Sequence, residues 1–155
     1  MTDRELMRRA IELSEESVRK GGGPFGAVVA RGGEIIAEAA NSVTADHDPT
    51  AHAEVKAIRL AASRLSTHNL AGCTLYASCE PCPMCLGAIY WAHIDKIYYA
   101  NSREDAAAAG FDDADIYREM ALDAAHRRLP SASLMAPEGK RAMRMWTEKG
   151  DKTPY

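Results

Sequence analysis

Residues 79 to 85 read Cys-Glu-Pro-Cys-Pro-Met-Cys and are followed at once by an apolar run, Leu86 to Trp91. Cys82 and Cys85 are three residues apart, so on the first turn of a helix their sulfur atoms point the same way and can share one zinc ion. Pro81 stands where such a helix can begin, and the N-terminus of a helix favours thiolate. The spacing therefore predicts a metal site at the start of a helix.

Cys79 and Cys82 form a second Cys-x-x-Cys pair, so spacing alone leaves the choice of ligands open. Cys79 precedes Pro81 at the end of an expected strand, and the shared helical turn therefore favours Cys82 and Cys85. Cysteines this close in sequence cannot staple distant segments of the chain, which favours metal over disulfide. A structural Cys3His zinc site and a thioredoxin-like redox site are the alternatives, although the redox site would leave the third cysteine without a role.

Upstream, the tripeptide His52-Ala53-Glu54 supplies the other groups that a catalytic zinc site needs. His52 is the expected third protein ligand, which leaves the fourth tetrahedral position for water. Zinc lowers the pKa of that water, and Glu54 is the candidate shuttle that takes its proton and returns it to a leaving amine. Residues two apart on a helix point to opposite sides, so both must lie at the mouth of a helix that begins near Asp48-Pro49.

Length and composition set the broad class of the protein. The chain has 155 residues, of which 46% are hydrophobic, and this suits one domain with a real core. No apolar run is long enough to span a membrane, and the first thirty residues are charge-rich and amphipathic rather than signal-like. We therefore expect a cytoplasmic protein without a membrane partner. The net charge of −3 gives no overall attraction to nucleic acid, so we expect no nucleic acid partner.

Hydrophobic periodicity predicts the order helix, strand, strand, helix, strand, helix, strand over the first hundred residues, which indicates a layered α/β domain with a mixed sheet. A capping box at Thr2 and Glu5 opens the first helix, and Gly32-Gly33 predicts a hairpin. The expected elements are helices over about 3–20, 49–65 and 81–92 and strands over 25–30, 34–40, 73–77 and 94–100. Beyond them we expect a helix around 112–125, a strand over 131–136 and a helix over 137–148.

The motifs H-x-E and P-C-x-x-C together are the signature of zinc-dependent nucleobase deaminases. On these residues the chain resembles the cytidine deaminase-like superfamily, and within it the bacterial guanine deaminases over nearly its whole length. The resemblance is carried by residues 22–28, 48–57, 78–92 and 109–113. The last of these stretches and the terminal Tyr155 favour guanine deaminases over the bacterial tRNA adenosine deaminases that share the core.

The resemblance implies a three-layer αβα cytidine deaminase-like fold with a mixed five-stranded sheet, formed by one catalytic domain over 1–155. It also implies one Zn2+ per subunit, held by His52, Cys82 and Cys85, and hydrolysis of a small-molecule purine, guanine, to xanthine and ammonia. Glu54 and Asp113 are then the catalytic residues. The base-holding positions are Phe25, Asn41, Ala53, Trp91 and Tyr155.

Each substrate role has a physical basis and a plain structural alternative. Phe25 and Trp91 can stack on a planar base, but both can equally be core aromatics. Asn41 can donate to and accept from a base, or can form a turn, and Asp113 can accept a ring N–H, or can cap the helix expected around 112–125.

The resemblance further implies a homodimer in which about 126–155 crosses to the neighbouring subunit and Tyr155 closes the neighbour's pocket. Residues 101–125 hold seven Asp or Glu against two Arg, whereas 126–155 hold seven Lys or Arg against three Asp or Glu. Blocks of opposite charge suit such a contact. Four alternatives to guanine deamination remain: a guanosine deaminase, an aminotriazine (ammeline-type) deaminase, a tRNA adenosine deaminase, and a zinc-stabilised binding module without catalysis, in which Glu54 has no role.

Overall fold

The sheet has four strands in the order β2-β1-β3-β4 in a computed structural model that describes residues 1–155. These strands are β1 (Gly26–Arg31), β2 (Glu34–Ala40), β3 (Cys73–Cys79) and β4 (Lys96–Asn101). β1 pairs antiparallel with both β2 and β3, and β3 pairs parallel with β4. The sheet is therefore mixed, as the sequence predicts. Gly32 and Gly33 form the predicted hairpin turn with φ of +58° and +83°, where side chains are strained.

Helices cover both faces of this sheet. The first, α1 (Asp3–Arg19), packs on one face, whereas α2 (Ala53–Leu65) and α3 (Pro83–Trp91) pack on the other. Alternate residues of β1 divide between the two layers, as a strand requires: Val28 contributes to the α1 side and Val29 to the α2 and α3 side. The result is the predicted three-layer αβα arrangement.

The prediction of a fifth strand over 131–136 is wrong. Residues 131–134 are irregular, and a helix begins at Ala136. A strand needs a neighbour that satisfies its backbone N–H and C=O groups, and no other segment of 114–155 is a strand. Small residues such as Ser131 and Ser133 also offer little apolar surface to bury, so the alternation in this stretch carries little stabilisation.

The chain forms two compact units, Met1–Asp113 and Ala114–Tyr155. The first contains the sheet, α1 to α3 and the short helix α4 (Arg103–Ala108). The second contains α5 (Ala114–Met120), a 3-10 turn (Ala124–His126) and α6 (Ala136–Glu148), so the helix expected over 112–125 is shorter than predicted. No helix combines the length and apolar character that a membrane span requires. The expected single domain over 1–155 stays a prediction.

Gly26, at the start of β1, sets how closely α1 approaches the sheet. A Cβ atom at this position would lie 2.3 Å from the carbonyl oxygen of Ala10 and 2.7 Å from Cβ of Leu13, both on α1. Such separations cannot persist, so any side chain here forces the helix away from the strand. The neighbouring Phe25 would move with it, and Phe25 lies in the candidate site described below.

We therefore predict that Gly26→Ala lowers the free energy of unfolding by about 2 kcal/mol or more, because overpacking displaces α1. The measurement is urea denaturation followed by circular dichroism. Gly139→Ala is the matched control, because a Cβ there meets nothing within 4 Å in α6 and should leave stability unchanged or slightly higher. Equal midpoints for the two variants would contradict this account of the packing.

Candidate metal centre and active site

Three predicted ligand side chains lie together at the ends of two helices. Nδ1 of His52 is 3.6 Å from Sγ of Cys82 and 3.4 Å from Sγ of Cys85, and all three donor atoms lie within 4.8 Å of one another. Ligand atoms around a tetrahedral zinc ion are about 3.5 Å apart when the bonds are of ordinary length. One imidazole and two sulfur atoms at this spacing suit zinc, with a coordination position left over.

His52 is the N-cap of α2 and has an extended backbone, with φ −71° and ψ 149°. The helix begins at Ala53, so the prediction that it begins near Asp48-Pro49 is wrong. The physical reason is local: Oδ1 of Asp48 accepts from both the backbone N–H and the hydroxyl of Thr50, which holds this segment in a turn. Because His52 lies outside the helix, helical periodicity does not separate it from Glu54, and both can face one site.

Cys82 is likewise an N-cap, with φ −68° and ψ 170°, and α3 begins at the next residue, Pro83. Neither His52 nor Cys82 uses its side chain to cap its own helix. The donor atoms are therefore available to a metal, and the partial positive charge of both helix ends favours the anionic thiolate.

The environments of the cysteines separate the two possible pairs. A hydrogen bond from the Cys85 thiol, together with one from His52, lowers the pKa of Cys82 to about 4. Its bond to Cys82 and its burial raise the pKa of Cys85. Burial raises the pKa of Cys79 to about 11, and its thiol donates to the carbonyl of Ser102 at 3.7 Å. Cys79 thus behaves as a thiol with a structural partner, which favours Cys82 and Cys85 as ligands.

Glu54 lies beside the three ligands, with 6% of its surface exposed. The Cys85 thiol donates to its Oε2 at 3.5 Å, and burial raises the pKa of the carboxyl group. A buried carboxyl group next to a metal site is suited to carry a proton during a reaction, because it has few competing water molecules.

A cavity of about 500 Å³ opens above these groups, a volume suited to a small molecule. Phe25 and Phe111 form an aromatic wall with ring centroids 4.9 Å apart and planes at 85°. The cavity is lined by Gly21, Gly22, Gly23, Phe25, Asn41, Val43, Thr44, Pro49, His52, Glu54, Cys79, Glu80, Cys82, Ala106 and Phe111.

Of the predicted substrate contacts, Phe25 and Asn41 line this cavity. Oδ1 of Asn41 also accepts the backbone N–H of Val43 at 3.1 Å, so the side chain forms a local turn as well. The predicted roles of both residues in substrate binding stay predictions.

The other predicted contacts lie elsewhere. Ala53 is fully buried in the core at the start of α2. Trp91 ends α3, about 12 Å along the helix from its metal end, and is 68% exposed rather than part of the cavity wall. Asp113 pairs with Nε of Arg103 at 3.7 Å, and the ring of Tyr155 packs 6.4 Å from that of Trp146 in the 114–155 unit. Their assigned roles also stay predictions.

Sequence reasoning did not select Phe111, Glu80 or Ala106 as site residues, although each lines the cavity. No motif spacing marks them. Phe111 falls within 109–113, the stretch that carries part of the family resemblance, and this was the one available signal. Glu80 lies between Cys79 and Cys82, and the motif at this point is explained by the spacing of the cysteines without any role for the glutamate.

We predict that Cys82→Ser abolishes stoichiometric zinc binding, because it removes one of three protein ligands, whereas Cys79→Ser retains it. The measurement is metal content by plasma mass spectrometry after dialysis against a weak chelator. Cys79→Ser is the matched control, since it makes the same change at a cysteine three residues away, at the end of β3. Equal zinc loss in both variants would contradict the assignment and favour a site with three sulfur ligands.

Comparison with known proteins agrees with this geometry. Residues 1–101 match the family model for the cytidine and deoxycytidylate deaminase zinc-binding region. The chain is 47% identical to the guanine deaminase of Bacillus subtilis (strain 168) over 156 residues, covering 100% of both proteins. The X-ray structure of a guanine deaminase from Bacillus subtilis superposes with a TM-score of 0.97 at 47% identity, covering 100% of this chain and 99% of that chain.

More distant relatives share only part of the chain. The tRNA-specific adenosine deaminase of Aquifex aeolicus (strain VF5) is 43% identical over 95 residues, which are 61% of this chain and 63% of that protein. A solved structure of guanine deaminase from Nitrosomonas europaea matches with a TM-score of 0.69 at 35% identity, covering 72% of this chain and 65% of that chain. The chain belongs to the cytidine and deoxycytidylate deaminase zinc-binding family.

Proposed function

We propose that this protein is a zinc-dependent aminohydrolase that converts guanine and water to xanthine and ammonia. The observation that carries the proposal is the extent of the similarity to the guanine deaminase of Bacillus subtilis, which spans the whole chain. Similarity to the tRNA-specific adenosine deaminase of Aquifex aeolicus covers 61% of the chain. The full-length relative therefore favours a free purine over an RNA substrate.

In this proposal His52, Cys82 and Cys85 hold one zinc ion, which supplies an activated water for attack on the ring carbon that bears the amino group. Glu54 takes the proton of the attacking water and passes it to the departing amine. The carbon–nitrogen bond then breaks, ammonia leaves, and the ring retains the oxygen. The burial of Glu54 supports this role, because the carboxyl group exchanges its proton with the substrate rather than with bulk water.

The cavity walls support recognition of a flat heteroaromatic ring. Phe25 and Phe111 offer an aromatic surface on which a purine can pack. Because Oδ1 of Asn41 is engaged by the N–H of Val43, its amide is held in one orientation, and its N–H donors are available to a carbonyl or ring nitrogen of the base.

The same proposal includes a homodimer in the cytoplasm, in which the C-terminal segment packs on the partner subunit and Tyr155 closes the partner's cavity. Exposed apolar side chains of the 114–155 unit support it. They are Ile116, Met120, Leu122, Leu129, Leu134, Met135, Met143, Met145, Trp146 and Tyr155. Apolar surface on this scale is typical of an interface. The catalytic domain over 1–155 would then be completed by the exchange.

We predict that Glu54→Gln lowers kcat for guanine by about 10³-fold, because the amide cannot carry the proton, while zinc content is retained. Ammonia release measured by a coupled assay provides kcat, and metal analysis provides zinc content. Glu104→Gln is the control, since it changes an exposed carboxylate on α4 and should leave kcat unaltered. Near-normal turnover by Glu54→Gln would contradict the assigned role.

Substrate class is tested by measuring ammonia release from guanine, guanosine, adenine, cytosine, ammeline and tRNA with the same preparation. We expect the highest kcat/KM for free guanine, because the relative that matches over the whole chain is a guanine deaminase. Activity on tRNA alone would instead support the adenosine deaminase function of the partial relatives.

We predict that deletion of Tyr155 raises KM for guanine about 10-fold, since the cavity would lose an aromatic lid. Asp151→Ala is the control, because its pairing with Lys149 is exposed and contributes little. Sedimentation analysis should show a dimer for all three proteins. Unchanged kinetics after the deletion would contradict a role for Tyr155 in the site. A monomeric wild-type protein would contradict the packing of the C-terminal segment on a partner subunit.

A further inference from the structure

The end of β3 is joined to the end of β4 and to Ser102, the N-cap of α4, by a set of hydrogen bonds. The N–H of Glu80 donates to the carbonyl of Asn101 at 2.8 Å, and Nδ2 of Asn101 donates to the carbonyl of Ser78 at 3.0 Å. The Cys79 thiol donates to the carbonyl of Ser102. Residues 78–80, at the end of β3, are therefore fixed to residues 101 and 102, which precede α4.

Glu80 adds a side-chain contact to this set. Its Oε1 accepts the backbone N–H of Arg103, the first residue of α4, at 3.3 Å. The first N–H groups of a helix have no partner within the helix and need an acceptor from outside it. Ser102 and Asp105 form a capping box, in which the side chain of each accepts the backbone N–H of the other. The carboxylate of Glu80 supplies an acceptor for the backbone N–H of Arg103.

Phe111, which forms part of the aromatic wall, follows α4 closely in the chain and is hydrogen-bonded to it. The N–H of Phe111 donates to the carbonyl of Ala106 on α4 at 2.9 Å. Gly110 makes the reversal between them with φ +94°, and the ring of Phe111 then packs edge to face on Phe25. The position of Phe111 thus depends on the position of α4, and the Glu80 side chain supplies one of the contacts that hold the start of α4.

We infer that Glu80 is a positioning residue for base binding, which acts by fixing α4 so that Phe111 packs beside Phe25 in the cavity wall. The inference rests on the proposed function for its kinetic consequence. It assigns to Glu80 no contact with substrate and no proton transfer. Its role requires only a hydrogen-bond acceptor at Oε1, so glutamine can replace glutamate and alanine cannot.

The kinetic test compares Glu80→Ala with Glu80→Gln. We expect Glu80→Ala to raise KM for guanine about 10-fold while kcat per bound zinc changes less than about 2-fold, because the reacting groups stay in place. Glu80→Gln should restore KM to the wild-type range. A rise in KM in Glu80→Gln as large as that in Glu80→Ala would overturn the inference, since it would indicate that the carboxylate charge itself contacts the substrate. A fall in kcat without a rise in KM would also overturn it.

A double-variant cycle tests whether the effect passes through Phe111. Phe111→Ala alone should raise KM about as much as Glu80→Ala, and the double variant should exceed Phe111→Ala by less than about 2-fold. Multiplicative effects would show that Glu80 and Phe111 act independently and would overturn the inference. Glu104→Ala is the matched control, because it removes another carboxylate from the first turn of α4 and should leave KM unchanged.

A second measurement does not need a substrate. In hydrogen exchange of the zinc-loaded protein, Glu80→Ala should exchange the amides of residues 103–111 at least about 10-fold faster than wild type, whereas Glu80→Gln and Glu104→Ala should not. Unaltered exchange in Glu80→Ala would overturn the inference even if guanine is the substrate. Absence of guanine turnover by the wild-type enzyme, with the exchange result as expected, would overturn only the proposed substrate.

Discussion

The structure depends on the meeting of two helix N-termini at one point, where each helix contributes its N-cap residue to a shared site. His52 and Cys82 both have extended backbones immediately before their helices. Helical periodicity therefore does not separate His52 from Glu54, and Cys82 meets Cys85 from outside α3. Neither side chain satisfies its own helix end. A cap residue that does not cap costs about 1 kcal/mol of helix stability, which the surrounding packing and a bound metal would have to offset.

The rest of the fold holds these two ends in place. β3 lies next to β1 in the interior of the sheet and ends three residues before Cys82, while α2 and α3 pack together on one face of the sheet. On the other face, α1 approaches β1 closely at Gly26, and this fixes the residue before it, Phe25, at the cavity. A buried carboxyl group such as that of Glu54 is costly, and a metal ion held by the neighbouring ligands would offset part of that cost.

Sequence alone predicts the parts of this structure that are encoded locally. The capping box at Thr2 and the glycine hairpin after β1 follow from the conformational preferences of neighbouring residues, and the structure has both features. Cys82 and Cys85 lie together as predicted, although Cys82 precedes α3 instead of lying on its first turn. The start of α2 was misplaced because Asp-Pro is typical of a helix start, whereas Asp48 instead holds a turn with Thr50. The prediction of a fifth strand over 131–136 is wrong because a strand needs a pairing partner, which the alternation of residues along one segment cannot specify. Phe111 and Glu80 enter the site through contacts between segments distant in sequence, which no spacing rule reveals.

The most direct test of the central claim is zinc K-edge absorption spectroscopy of the purified, zinc-loaded protein. A catalytic site held by His52, Cys82 and Cys85 predicts two sulfur neighbours at about 2.3 Å and two nitrogen or oxygen neighbours at about 2.0 Å, one of them water. Three sulfur neighbours would make Cys79 a ligand and close the site to water, which would contradict the account of a hydrolytic enzyme and support a structural zinc module.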